Sequence, residues 1–458
     1  MENREELEEK ISELLANKQY HELKACLSEL EPADIGLIFE DLPSTSLPLL
    51  FRLLAKEMAA EVFVELSSDT QELLIAGFSD FELKEVLDEL YLDDTVDIIE
   101  EMPANVVKRI LRHSDPKTRQ SINEILKYPK DSAGSIMTIE FVDLKKNMTV
   151  SDAFTHIRRT GFDKETIYTC YVTDENRILL GLVSVKDLLL ADETEMLEDI
   201  METNIIYVNT LEDQETAAQN FEKYDFLALP VVDNENRLVG IITVDDAIDV
   251  IQEEATEDIE KMAAIMPTDK PYMKTGVFET YKKRIPWLLL LMISATFTGA
   301  IISSFESALS ACVVLTAFIP MLMDTGGNSG GQASVTIIRS MSLGDVEMKD
   351  ILKVLWKEFR VAFCCGITLG AANFAKMMII DRASIAAAGQ NPVMVALVVC
   401  STLVITVVIA KLIGCSLPML AKKIGFDPAV MASPFITTIV DAVSLLVFFR
   451  IAVMILRI

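Results

Sequence analysis

The chain has 458 residues, room for about three domains of roughly 150 residues each, and 51% of it is apolar although its formal net charge is −29. The two properties separate along the chain. Residues 285–458 hold 12 Lys/Arg and 9 Asp/Glu, a net of +3, whereas residues 1–284 hold 29 and 61, a net of −32. So acidic a first part excludes nucleic acid as a partner, because phosphates need a basic face, and it favours a cationic one such as a divalent metal. Seven Cys without a CxxC pair, and only His21, His113 and His156, exclude a zinc finger or the usual catalytic zinc site. There is no P-loop, nucleophile elbow or His-based acid/base pair, so no catalytic residues are assigned and no enzyme activity is expected. The charged opening MENREELEEK lacks an apolar core, which predicts no cleavable signal and a first part that folds in the cytoplasm.

In chain order, residues 1–130 read as an acidic all-α N-domain. ADIGLIFEDLP from 33, MAAEVFVELS from 58, FELKEVLDELY from 81 and DTVDIIEEMP from 94 each pair an apolar stripe with an acidic face, and turns such as those at Pro43 and Pro103 follow closely. A superhelical stack of helical hairpins is the natural arrangement.

Residues 134–250 contain a duplication. Ile136-Met137 recurs as Ile200-Met201, Glu175-Asn176-Arg177 as Glu235-Asn236-Arg237, and GLVSVKD from 181 as GIITVDD from 240. Each copy has a β-rich run (Ile167–Thr173; Ala228–Val232), a polar turn, a second strand, and a helix that opens on Ser/Thr-x-x-Asp. Two α/β domains result, 131–196 and 197–252. The hydroxyl and carboxylate at such a helix start suit a ribose and a phosphate, and they suit equally a capping box with only structural work. The segment TVDDAIDVIQEEATEDIEKM, residues 243–262, then crowds Asp246, Asp249, Glu254, Glu257 and Asp258 onto one helix. Like charges three or four apart cost a few tenths of a kcal/mol per pair, so this helix needs cations or basic residues against it. It opens a connecting region over 253–284.

Residues 285–458 read as an all-α transmembrane domain of five helices: Ile285–Phe305, Ser307–Met323, Val361–Ile380, Ala383–Ala410 and Pro428–Leu456. Lys282–Arg284, Arg339, Lys349, Lys353, Lys357, Arg360, Lys422 and Lys423 fall on one side and Arg382 on the other, which puts the N-terminus inside and the C-terminus outside. The run MDTGGNSGGQAS, residues 323–334, is expected to break regular helix and bare backbone carbonyls beside protein or water. Its other reading is helix packing, since Gly326 with Gly330 and Gly327 with Gly331 are each GxxxG. Asp441 lies about 13 residues into the last span, about 20 Å along it at 1.5 Å per residue and so near mid-bilayer. A carboxylate there costs at least a few kcal/mol unless it meets water, a cation or a base. The alternative is a protonated Asp bonded to a neighbouring helix. Oxygen ligands without His or Cys select hard ions.

The duplicated region resembles a pair of cystathionine-β-synthase (CBS) domains, modules that often bind adenine nucleotides. Nearly the whole chain is similar to the MgtE family of magnesium channels: an acidic helical N-domain, tandem CBS domains, an acidic connecting helix and five membrane spans. TVDDAIDVIQEEATEDI, the Gly-rich segment after Pro320 and the mid-membrane Asp441 carry the resemblance. It implies a homodimer in the cell membrane that conducts Mg²⁺ between two membrane halves and is held shut by several cytoplasmic Mg²⁺ ions. The pore ion would then meet Asp441 and Thr437, with oxygens near Gly327, Asn328 and Gly331. Gly331 stands where some members carry a second Asn, and Asp324 matches no family role. The sensor would use Asp246, Asp249, Glu254, Glu257 and Asp258 facing Asp93 and Asp97, with Glu61, Glu215, Asp225 and Asp427 as weaker matches. ATP, where bound, would contact Asp187 and Phe226. Two alternatives stay open: transport of another divalent cation such as cobalt or manganese, and a membrane-anchored nucleotide sensor.

Overall fold

Short amphipathic segments punctuated by Pro and Ser give ten helices between Arg4 and Ile125: α1 (Arg4–Ala16), α2 (Tyr20–Leu27), α3 (Pro32–Asp41), α4 (Leu47–Phe51), α5 (Lys56–Val64), α6 (Ser68–Gly77), α7 (Asp80–Leu87), α8 (Leu92–Glu101), α9 (Ala104–His113) and α10 (Pro116–Ile125). The computed structural model describes residues 4–268, 272–273, 275–431 and 433–457. Ser79 and Glu82 close a reciprocal capping box at α7, and Asp115 accepts the Lys117 and Thr118 N–H groups at α10. The apolar stripes meet in one core through Leu23, Ile35, Phe39, Leu50, Val62, Leu74, Ile110 and Ile122.

The duplication becomes two three-stranded sheets. In the first, β1 (Asp143–Lys145) runs parallel to β2 (Thr169–Thr173), which pairs antiparallel with β3 (Leu179–Ser184). In the second, β4 (Val208–Asn209), β5 (Ala228–Val232) and β6 (Leu238–Thr243) repeat that order and pairing, and a register shift recurs at Val172/Thr173 and Val231/Val232. The helices repeat as well: α11 (Val150–Thr160) and α12 (Val185–Leu190) in the first copy, then, after the short α13 (Leu197–Ile200), α14 (Gln214–Tyr224) and α15 (Val244–Met262) in the second. Phe141, Tyr171, Ala228, Leu238 and Ile241 pack the copies together. The repeated Met and Gly explain each other, because Met137 packs in the core of the second copy and Met201 against that of the first. A Cβ on Gly240 would lie 2.6 Å from Met137 Sδ and 2.7 Å from the Thr138 carbonyl, and one on Gly181 would lie 2.6 Å from Met201 Sδ.

The chain divides into two units, Met1–Ile251 and Gln252–Ile458, and the division falls inside α15. The second unit is helical: α16 (Val277–Ser304), α17 (Glu306–Ala311), α18 (Ile319–Ser342), α19 (Ile351–Lys376), α20 (Arg382–Ala387), α21 (Pro392–Lys423) and α22 (Ser433–Leu456). Among the described residues, four stretches are long and apolar enough to cross a membrane: Val277–Ser304, Met348–Ala387, Pro392–Lys423 and Pro428–Leu456. No residue of α16 is buried, and Leu288, Leu289, Met292, Ile293 and Phe297 are exposed, as expected of a helix whose surroundings are lipid.

Three expected spans are redrawn. Ser307–Met323 is no single helix: Cys312 leaves helical geometry, a 3₁₀ stretch covers Val313–Phe318, and α18 restarts with Pro320 in its first turn, where its missing N–H is harmless. The fourth span starts at Pro392 rather than Ala383 and ends at Lys423 rather than Ala410, because a break at Gly389 and an Asn391 N-cap precede it. The third begins at Ile351 and runs through a π-helical turn at Met377–Asp381, where Lys376 and Asp381 pair at 3.2 Å.

Filling the Gly240 position should strain its contact with Met137 and Thr138. Gly240→Ala in the full-length protein is expected to cost about 1–3 kcal/mol, read as a lowered unfolding midpoint, because the added methyl meets backbone as well as the flexible Met137. A midpoint equal to that of the parent would show that the contact yields.

Candidate metal sites and cation path

α8 opens with Asp93 and Asp94, and its apolar residues Leu92, Val96, Ile98 and Ile99 are buried, which fixes the side on which Asp93 and Asp97 emerge. Asp93 itself is 7% exposed. One oxygen each from Asp93, Glu140 and Glu165 lie within 4.8 Å of one another, a spacing that a single cation could span. Glu140 also accepts the Leu92 N–H at 3.2 Å, and the Glu165 N–H donates to the Glu140 carbonyl at 2.9 Å, so backbone geometry holds the group. Glu165 Oε2 is buried without a hydrogen-bond partner. From the start of α15, Asp246 joins the same neighbourhood while accepting the Thr243 hydroxyl at 2.5 Å.

The electrostatics follow from that crowding. Burial, then the charges of Asp246 and Asp245, push Asp94 up to about 7. Burial, then Asp246, Asp93 and Asp94, push Asp97 up to about 8, although Asp97 keeps an open face where water screens it. Glu165 is pushed up to about 9 by burial and then by Asp93, Asp94 and Asp246. Asp93 and Asp246 are displaced upward too, by burial first and then by neighbouring carboxylates. Protons relieve this repulsion at low pH, and a divalent cation relieves it without them.

The other expected sensor residues divide. Asp249 is exposed, and burial of part of it and then Asp245 raise it. In the second unit, Lys261 Nζ lies 2.7 Å from both Glu257 Oε1 and Asp427 Oδ2. Burial, then Asp427, push Asp258 up to about 6, with Glu254 and Glu257 adding to it. Asp427 thus joins Glu254, Glu257 and Asp258, while Met262 packs on Ile338 and Ala429. Glu61 is exposed on α5, Glu215 sits in the first turn of α14, and Asp225 caps that helix with a left-handed backbone. None of these three is among the charges that act most strongly on Asp93, Asp94, Asp97 or Asp246.

In the membrane unit the Gly-rich run does not break: residues 323–334 lie within continuous α18, which corrects the expectation of bared carbonyls. Its glycines instead admit close neighbours. A Cβ on Gly327 would lie 2.9 Å from Thr437 Cγ2, one on Gly326 2.8 Å from Thr406 Cγ2, and one on Gly414 of α21 would fall onto the Gly330 carbonyl. Gly327 and Thr437 therefore lie against one another. Asp441 is the ninth residue of α22, with Oδ1 buried and without a hydrogen-bond partner. Asp324 is the charge that acts on it, and Asp324 Oδ1 accepts the Asn328 side-chain amide at 3.0 Å. Asn328 and Gly331 line an open cavity of about 880 Å³.

Comparison with known proteins places this geometry. A family model described as MgtE, divalent cation transporter, matches residues 319–451, the MgtE intracellular N domain matches 30–131, and the CBS domain matches 133–193 and 197–253. The magnesium transporter MgtE of Thermus thermophilus is 36% identical over 457 residues, covering 99% of both chains. The chain belongs to the MgtE family. The magnesium transporter MgtE of Bacillus subtilis is 32% identical, covering 98% of this chain and 97% of its own. A crystal structure of the cytosolic domain of the Mg²⁺ channel MgtE in complex with ATP aligns with a TM-score of 0.51 at 38% identity, over 52% of this chain and 98% of that one. Membership of MgtE makes this a membrane protein of the divalent cation transporters.

Against that family background, Asp187 occupies a capping box: Ser184 Oγ donates to Asp187 Oδ2 at 2.5 Å and accepts the Asp187 N–H. Phe226 stacks on Tyr224 at 5.4 Å between centroids. Asp246 is the second-copy counterpart of Asp187, so one duplicated position caps a helix in the first copy and joins the acidic cluster in the second. Sequence reasoning missed Glu140 and Glu165, which lie in connections around the first sheet and carry no motif. Asp94 was visible beside Asp93, and Asp324 in the Gly-rich run.

Folded-state values raised above the unfolded ones mean that the protonated cluster stabilises the first unit at acid pH and that this contribution is lost as pH rises through about 7 to 9. In chelator, hydrogen-exchange protection of α8 should fall about tenfold between pH 6 and 9 after correction for intrinsic rates, and millimolar Mg²⁺ should restore it. Protection that ignores both pH and Mg²⁺ would leave the cluster a solvated face.

Proposed function

We propose that the protein carries Mg²⁺ across the cell membrane as a homodimeric channel and that its acidic cytoplasmic residues sense Mg²⁺ and close it. The observation that carries the transport reading is Asp441, a carboxylate oxygen buried without a partner in an apolar helix, on which the charge of Asp324 acts. Such a group marks an ion pathway more often than a packing site. Thr437, one turn before Asp441, lies against Gly327, Asn328 is bonded to Asp324, and Asn328 and Gly331 line an open cavity. Mg²⁺ sheds water reluctantly and is held by few protein oxygens plus retained waters, which suits this sparse set. The relatives named magnesium transporters support the ion, and the charge bias of the loops supports a cytoplasmic N-terminus and an outer C-terminus.

Sensing belongs to two groups of carboxylates. In the first unit Asp93, Asp97 and Asp246 act with Glu140, Glu165 and Asp94, so a bound divalent ion draws α8, the first sheet and α15 together. In the second, Asp249 aside, Glu254, Glu257 and Asp258 act with Asp427 at the connection leading into α22, the helix of Asp441. Glu61, Glu215 and Asp225 are outlying members. Ion binding shifts the population toward the closed state only by its differential affinity for that state. ATP binding at the CBS pair, with Asp187 and Phe226 in contact, is the regulatory addition that the ATP-bound relative supports. Functional divisions at about 130, 196, 252 and 284 belong to the same reading.

Asp441→Asn should lower Mg²⁺ flux in vesicles at least about tenfold while expression and dimerisation persist, since it removes one pathway carboxylate per subunit. Flux at the parent level would favour a buried structural acid. Neutralising Asp249, Glu257 and Asp258 together should leave a protein that conducts at internal Mg²⁺ that closes the parent. Currents from excised patches, followed as cytoplasmic Mg²⁺ rises, read this directly, and closure at the parent concentration would refute the sensor.

A further inference from the structure

The membrane unit buries a second set of charges. Lys411 is the one charged residue of α21 before its terminal lysines, and Glu358 is the one acidic residue of α19. Their side chains are 7% and 12% exposed, with Lys411 Nζ 3.9 Å from Glu358 Oε2. Both line the cavity of about 880 Å³ that Asn328, Gly331, Gln332 and Thr336 of α18 also line. Glu358 stands between Lys357 and Arg360, at the inner end of the third span, and buried ionisable groups are costly and persist where they pair and face water or a substrate path. At 3.9 Å the pair lies at the limit of an ion pair, so the carboxylate is only partly committed to the ammonium.

We propose that Glu358 and Lys411 form a second charged station on the divalent-cation path, at which Lys411 tempers Glu358 so that a hydrated Mg²⁺ binds weakly enough to leave. This rests on the reading of Asn328 and Gly331 as path residues. Conduction needs sites that attract an ion yet release it. A lone carboxylate in a low-dielectric wall would hold a divalent ion too long, and a lone ammonium would repel it. The paired groups keep the wall near neutral while leaving an oxygen available.

Mg²⁺ flux into proteoliposomes of the full-length protein, measured over a range of Mg²⁺, tests the proposal in four variants. Lys411→Met should lower the half-saturating Mg²⁺ about tenfold and lower the maximum flux as well. Glu358→Gln should reduce maximum flux about tenfold. The neutral pair K411M/E358Q should recover most of that flux, with half-saturation raised about threefold. A purely structural pair would change the amount of folded protein and leave half-saturation unmoved. Should either single variant fail to fold, the neutral pair decides: displaced half-saturation upholds the station, and an unchanged value overturns it. Asp441→Asn is the control on the path itself. If it stops flux while half-saturation is unchanged in K411M and in the neutral pair, the station is refuted and the path stands. If Asp441→Asn conducts like the parent while the pair variants shift as expected, the path through Asp441 falls and the station remains.

Discussion

Two carboxylates a few ångströms apart repel with an energy that water screens at the surface and that burial restores. α8, the first sheet and the start of α15 bring Asp93, Asp94, Glu140, Glu165 and Asp246 into that condition, and burial with mutual repulsion raises the proton affinity of Asp93, Asp94, Glu165 and Asp246. Apolar contacts elsewhere in the unit, above all the shared core of the ten helices and the contact between the two sheets, hold the cluster in place. The cluster is therefore a stored repulsion that a small, doubly charged ion can cancel.

The second unit meets the same constraint in a different solvent. Its glycines let α18 approach α21 and α22 closely, and this approach sets Thr437 against Gly327 and Asp324 within reach of Asp441. Without a Cβ on Gly326, Gly327 or Gly330 the backbones close up, and polar groups that lipid would penalise face one another inside protein. The lower half of α15 adds Lys261, whose ammonium bridges Glu257 and Asp427. There a tethered cation offsets part of the carboxylate repulsion.

The duplicated domains show how one inherited local pattern serves two ends. Ser184 with Asp187 and Thr243 with Asp246 make equivalent helix starts, yet only the second copy's helix continues for 19 residues and carries its carboxylates onward. Capping chemistry is satisfied in both copies, so the local rule does not distinguish them. The difference lies in what the following residues bury.

Legible in the sequence alone were the acidic and apolar halves, the repeat, the helical N-domain, the cost of Asp441 and the family, because periodicity, charge and motif spacing are local properties that a linear pattern records. The Gly-rich run shows where locality fails: propensity argues for a break, but α21 and α22 pack against it and the helix runs through. Glu140 and Glu165 lie in connections without a motif and reach Asp93 only when β1 and β2 fold beside α8. Asp427 met Glu257 through Lys261, and Glu358 met Lys411 across α19 and α21, by contacts between residues far apart in the chain. Such encounters are decided by packing, since a charge is costly or harmless according to what is buried beside it, and only the tertiary structure sets that neighbour.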